Sequence, residues 1–270
     1  MEASLAGVRA LVTRPQGQGI ALAQAIGEGG GVAVEFPLIE ISPLGEDDAA
    51  ERATRDAVLD GLDRFSVAIF ASSNAVRALL AELECRGAHL PPTLRCLAIG
   101  SATARCLRDA GVACDAGEVT MDSEELLLLP ELAALAGRQV VIFRGLGGRE
   151  HLARELTARG ARVTRCALYR RSRPTTACAQ LPGLLARERI NAVLLSSGEG
   201  LENLLSLLGK DAAGTIMARI VVVTPGERVA ALARAAGLKT VYAAVNATDT
   251  AMLALLRSVA ASIRERTSTA

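Results

Sequence analysis

The stretch FSVAIFASSNAVRALLAEL (65–83) is answered later in the chain by INAVLLSSGEGLENLLSLL (190–208). Each opens on a short run that is apolar throughout, Val67–Phe70 in the first and Val193–Leu195 in the second. A pair of serines follows, and then a helical pattern. Val76, Leu79, Leu80 and Leu83 fall at i, i+3, i+4 and i+7, and Leu201, Leu204, Leu205 and Leu208 repeat that spacing. Both helices therefore present one apolar stripe to a partner layer. Strands that are apolar throughout, rather than alternating, need cover on both faces, which is the signature of a parallel sheet between helices. Ser72, Ser73 and Asn74 are of the types that cap a helix N-terminus.

The repetition extends outward from this pair. GVRALVTRPQGQGIALAQAIGEGG (7–30) aligns without a gap on GRQVVIFRGLGGREHLARELTARG (137–160), and LAIGSATARCLRDAGV (97–112) answers VVVTPGERVAALARAAGL (221–238). Strand, polar turn and amphipathic helix alternate throughout, with Gly111 and Gly237 placed as helix-ending glycines. The expected class is α/β: two doubly wound, parallel-sheet, flavodoxin-like domains. Two facing domains make a cleft, a common place for a ligand. The extended, proline-bounded segments EFPLIEISPL (35–44) and RCALYRRSRP (165–174) break the rhythm at equivalent points. They read as a two-stranded linker between the domains. The tail after Arg264 reads as disordered.

Composition removes several function classes. The chain has 270 residues, enough for two domains, and a net charge of +1, so no large field draws nucleic acid or a membrane surface to it. Aromatic residues make up 2% and Trp is absent, which leaves no base-stacking platform. His occurs only at 89 and 151, and the six Cys (85, 96, 106, 114, 166, 178) form no CxxC motif and no pairing with His. No metal site and no nucleophilic triad is expected. The longest apolar runs are far too short to span a bilayer. No signal-peptide pattern is present, and reduced thiols in a cytoplasm are the expectation. The basic residues are nearly all Arg, with Lys only at 210 and 239. Arg suits bidentate binding of carboxylates.

Gly17-x-Gly19 mimics a dinucleotide fingerprint. Its third position is Leu22, and its glycines lie too far past the strand for the tight first turn. What remains is a row of neutral donors at strand C-terminal ends: Thr13, Ser72, Ser73, Ser101, Thr103, Ser196, Ser197 and Thr224. That edge is where open parallel sheets bind ligands. Together with helix dipoles, such donors suit a polyanion. RGLGGRE (144–150) is a further anion candidate, glycine-rich at a helix N-terminus. Tyr169 stands where the repeat has Ile39, so the fold itself does not demand its hydroxyl.

VTRP (12–15), FASSNAV (70–76), AIGSATARCLRDAG (98–111), SEELL (123–127), FRGLGGREHLARELTARGARV (143–163), LYRR (168–171), LLSSGEG (194–200) and RVAALARAAG (228–237) together resemble the uroporphyrinogen-III synthase family, in the family's order and over nearly the whole chain. The resemblance implies crossed connectivity: 1–34 with 175–270 as one domain, 44–164 as the other, and 35–43 and 165–174 as linker strands. It implies an enzyme of tetrapyrrole synthesis that cyclises hydroxymethylbilane, a linear tetrapyrrole polycarboxylate, with no cofactor. Such an enzyme is expected to be cytoplasmic and monomeric, with transient contact to the preceding pathway enzyme. The residues carried over are Tyr169 as catalytic and Ser72, Thr103 and Ser197 as substrate-binding. Ser73 and Ser196 join them as neighbours at the same turns, and Arg14, Arg144 and Arg149 are candidate carboxylate partners by position. Near VTPGER (223–228) the chain departs from the family, whose members often carry a hydroxyl or His about where Gly226 lies. The competing reading is a hinged two-domain small-molecule sensor without catalysis. The absence of metal and cofactor motifs has a direct consequence. Activity should survive dialysis against EDTA; loss of activity on chelation with recovery on adding zinc would contradict it.

Overall fold

The structure is a computed structural model that describes residues 3–114, 123–148, 150–174 and 180–268. From the N-terminus it runs β1 (Arg9–Val12), α1 (Ile20–Glu28), β2 (Val32–Glu35), β3 (Glu40–Pro43), α2 (Ala49–Leu59), β4 (Val67–Phe70) and α3 (Ser73–Cys85). There follow β5 (Arg95–Ala98), α4 (Ser101–Asp109), α5 (Ser123–Leu126), β6 (Gln139–Gly145), α6 (His151–Ala158) and β7 (Arg162–Ser172). The chain closes with α7 (Leu181–Arg187), β8 (Ala192–Leu194), α8 (Gly198–Leu208), α9 (Lys210–Ile216), β9 (Val221–Thr224), α10 (Glu227–Ala235), β10 (Val241–Ala243) and α11 (Asp249–Ser268).

These elements divide into two compact units, one of Met1–Ile41 with Ser172–Ala270 and one of Ser42–Arg171. The first holds a sheet of order β10-β9-β8-β1-β2, in which every neighbouring pair is parallel. β1 is thus flanked by β2, close in sequence, and by β8, about 180 residues further on, with Ala10, Leu11 and Val12 opposite Ala192, Val193 and Leu194. The pleat sorts this sheet's residues onto two faces. Leu11, Val193 and Val222 point into a core with Leu185 of α7, Leu201 and Leu204 of α8 and Val229 of α10. Val12, Leu194 and Val223 point the other way, into a core with Leu22 and Ile26 of α1 and Leu256 and Ile263 of α11. Helices on both faces explain why successive residues such as Leu11–Val12, Val193–Leu194 and Val222–Val223 are apolar.

The second unit holds the order β3-β7-β6-β4-β5, with β7, β6, β4 and β5 parallel. All of Val67–Phe70 is buried, and the Phe70 and Phe143 rings pack at 5.2 Å between centroids. The duplicated serines do the same job in each unit. Ser72 and Ser197 adopt extended backbone and cap α3 and α8, accepting from Ala75 N–H at 3.2 Å and Gly200 N–H at 3.0 Å.

Residues 165–174, expected as a linker strand, overlap a longer strand: β7 begins at Arg162, is laddered to β6 from Gln139↔Arg162 onward, lies between β6 and β3, and ends at Ser172, where the chain passes from one unit to the other. One expectation changes. The tail after Arg264 was expected to be disordered, yet α11 continues to Ser268, since its apolar face, through Ile263, is held in the core. Of the described helices, none is long and apolar enough to cross a membrane.

The pairing sets a test of the folding units. A fragment of residues 42–171 keeps β4, β5, β6 and β7 and their helices. A fragment of residues 1–136 strips β1 of β8 and β4 of β6. Circular dichroism should show a cooperative melt for 42–171 and none for 1–136; a cooperative melt of 1–136 would contradict the pairing.

Candidate functional site

The residues singled out from sequence fall into two groups. Ser72, Ser73, Thr103, Arg144 and Tyr169 lie in the 42–171 unit, and Arg14, Ser196 and Ser197 lie in the other. Arg149 lies outside the described residues.

In the 42–171 unit, Ser72 follows the C-terminal end of β4, and Tyr169 sits near the end of β7. Their hydroxyls meet at 2.9 Å, and either can be the donor. Gly145, at the end of β6, makes this meeting possible. β6 and β7 shift register between Arg144 and Gly145, and the Tyr169 ring lies directly on Gly145. A Cβ there would stand 2.8 Å from the ring carbons Cε2 and Cζ and 3.1 Å from the hydroxyl. The Leu146 N–H donates to the Tyr169 carbonyl at 2.7 Å and closes the turn over the same spot. Tyr169 is 4% exposed, so its ring is packed in place on Gly145.

Next along β7, Arg170 pairs with both carboxylate oxygens of Asp48, which is 3% exposed. The Arg170 guanidinium, and then the Gly45 N–H, hold the Asp48 carboxyl below the usual carboxylate range. This charge-assisted fork anchors the backbone that carries Tyr169. Thr103 is buried in the first turn of α4, behind Gly100, whose positive φ of 85° lets the chain enter that helix. Ser73 is half-buried in the first turn of α3.

Arg144, with a side chain 11% exposed, is engaged by its own turn. It donates to the Gly145 carbonyl at 3.3 Å, to the Gly147 carbonyl, and to Glu150 at 3.2 Å. In the other unit Arg14 is similarly held, by Asp249 at 2.7 Å and the Ala247 carbonyl at 2.5 Å, at the start of α11. Ser196 is half-buried beside the capping Ser197. Two members of the hydroxyl row are not available to a ligand. Thr13 is buried and donates to the Leu194 carbonyl at 2.7 Å; Thr224 is buried and donates to the Tyr242 carbonyl at 3.1 Å. Both tie neighbouring strands together, a use that a sequence position at a strand end does not reveal.

Gly145 and the Asp48–Arg170 pair were not found from sequence. A glycine in the run RGLGG reads as a turn, and only the ring resting on it shows why Cβ is excluded. Cys166, on β7, is buried, and burial pushes its thiol up to about 12, so it is no nucleophile at neutral pH. Among the described residues no group of three or more His, Cys, Asp or Glu is placed to hold a metal ion.

Residues 20–254 match the family described as uroporphyrinogen-III synthase HemD. The chain is 34% identical over 249 residues to uroporphyrinogen-III synthase of Salmonella typhimurium, covering 92% of this chain and 99% of that protein. It is 35% identical over 251 residues to the Escherichia coli protein of the same name, again covering 92% and 99%. In fold it is similar to a mutant uroporphyrinogen III synthase of the extremely thermophilic bacterium Thermus thermophilus, with a TM-score of 0.62 at 20% identity over 98% of this chain and all of that one. It is likewise similar to uroporphyrinogen-III synthetase of Helicobacter pylori, with a TM-score of 0.58 at 17% identity over 93% and 99%.

Gly145→Ala probes the ring platform directly. Inserting a methyl group where no room exists costs about 1–3 kcal/mol. The variant should lose that much in chemical denaturation and lose activity with it. Wild-type stability and activity would mean that the ring does not depend on Gly145.

Proposed function

Since this chain belongs to the uroporphyrinogen-III synthase family, we propose that it cyclises hydroxymethylbilane to uroporphyrinogen III, with loss of water and inversion of the last pyrrole ring, as a lyase of tetrapyrrole biosynthesis. The observation that carries the reading to residues is the 2.9 Å contact between the Tyr169 and Ser72 hydroxyls at a sheet's C-terminal edge. The substrate loses its hydroxyl as water and leaves an azafulvenium cation. The last ring attacks through its substituted carbon, and the resulting spiro intermediate fragments and recloses with that ring turned over. This substrate also cyclises unaided, to the wrong isomer. The protein therefore has two tasks: to hold one conformer and to assist departure of the hydroxyl.

Tyr169 is the group we assign to the second task. A phenol donates at neutral pH. Ser72 already accepts the Ala75 N–H, and its own hydroxyl hydrogen can go to the Tyr169 oxygen. The phenolic hydrogen is then free for the leaving hydroxyl. Helix α3 begins at Ser73, so the partial positive charge of its N-terminus lies beside this pair and favours electron density building on the phenol as it gives up its proton. Ser73, Ser196 and Ser197, with the arginines, are assigned to binding the carboxylate arms, while Thr103, 3% exposed, offers its place in the first turn of α4 and not a free hydroxyl. No step calls on a cofactor, and the enzyme is read as a cytoplasmic monomer.

Tyr169→Phe keeps the ring on Gly145 and removes only the hydroxyl. Help from a general acid is worth about 10²–10⁴ in rate, and the low end or less is expected here because this leaving group ionises readily. The variant should melt like wild type, lose most of its isomer III rate, and let isomer I accumulate. A wild-type rate and isomer ratio would reduce Tyr169 to a packing residue.

A further inference from the structure

A cavity of about 300 Å³ opens in the 42–171 unit, floored by Gly145 and Ala167 and walled by α2 on one side. Its size falls at the low end of small-molecule sites. Two guanidiniums enter it from neighbouring strands. Arg165 on β7 pairs with Ile142, and Arg144 on β6 pairs with Ala167, so the two arginines are staggered by two residues on one face. Between them sits Glu150, from the turn before α6. One of its carboxylate oxygens takes Arg144 at 3.2 Å and the other takes Arg165.

We propose that this cavity seats one carboxylate-bearing pyrrole ring of the substrate, and that Glu150 is an internal stand-in which the incoming carboxylate displaces from Arg144 and Arg165. The inference rests on the reading given under the proposed function.

The magnitudes favour an exchange. The Arg165 side chain is 55% exposed and that of Glu150 47%. An ion pair this open to water contributes little, and Arg144, 11% exposed, keeps its bonds to the Gly145 and Gly147 carbonyls when Glu150 leaves, so the release costs little. An arm arriving at the same fork recovers the charge-assisted bonds, since guanidiniums fit carboxylates in geometry as well as charge. The ring behind it gains apolar contact with Ala167 and Leu146, which Glu150 does not make for it. Both arginines, Arg165 first, hold the Glu150 carboxyl below its ordinary range, so at neutral pH the stand-in is an anion like the arm. Glu51 of α2 lines the same cavity, and with Glu150 in place two acids balance two arginines. Once Glu150 swings out, the seat is left positive and ready for one anion. Position gives the seat its place in the reaction: Gly145 is both part of its lining and the platform under the Tyr169 ring.

An exchange of this kind gives opposite signs for two substitutions, which a merely structural brace does not. In steady-state assays with hydroxymethylbilane, Arg165→Gln should raise KM about tenfold, the equivalent of one charge-assisted hydrogen bond partly screened by water, with little change in kcat. Glu150→Gln should lower KM, because the competing carboxylate is gone. Arg165 is exposed, so its variants should fold, and thermal melts of both proteins check this. Should Glu150→Gln unfold, Arg165→Glu takes its place and should raise KM beyond Arg165→Gln. An unchanged KM in Arg165→Gln, or a KM raised in both variants, would overturn the seat while leaving the function standing. A wild-type protein that forms no isomer III would instead overturn the function.

Discussion

Everything in this molecule depends on parallel strands finding partners far away in sequence. A parallel neighbour cannot be reached by a tight turn, so most strands are followed by a helix, and the sheet of β10-β9-β8-β1-β2 is covered on both faces. β1 is completed by β8 across most of the chain's length, and β4 by β6 across about 70 residues. The cost is a high entropy of closure, offset by strands buried at every position, such as Val67–Phe70 and Val221–Thr224. In return, the strand C-terminal ends and the helix N-termini that follow them lie along one edge of each sheet. Backbone N–H groups and capping hydroxyls collect there.

That edge gathers the groups to which the proposed chemistry is assigned. Ser72 is in place because a helix must be capped, and its hydroxyl is then within reach of Tyr169. A glycine on β6 and a register shift that leaves Leu168 of β7 unpaired bring the ring onto Gly145, and an anchored arginine on β7 holds the backbone beside it.

Much of this was legible in the sequence because it follows from local rules. The strands were read from continuous apolar runs, the helices from the spacing of Val76 to Leu83 and Leu201 to Leu208, and the caps from paired serines. Tyr169 stood out because its repeat partner is aliphatic. The remainder depends on tertiary geometry that no local pattern carries. Thr13 and Thr224 look like Ser72 in sequence, yet they are buried and tie strands together. Gly145 looks like any turn glycine until the ring is placed on it. Arg144 was selected as a carboxylate partner by position, but that it already holds a carboxylate of its own turn, shared with Arg165, needed coordinates. The end of α11 was misread because a polar tail hid a helix held by Ile263.

As a uroporphyrinogen-III synthase, this chain steers a self-reactive tetrapyrrole to the ring-inverted product. The most direct measurement mixes enzyme in excess over freshly made hydroxymethylbilane, quenches the mixture within a single turnover, and resolves the two macrocyclic isomers. Isomer III is expected almost alone, formed much faster than in the unaided reaction. Isomer I appearing at the unaided rate, with no isomer III, would contradict it.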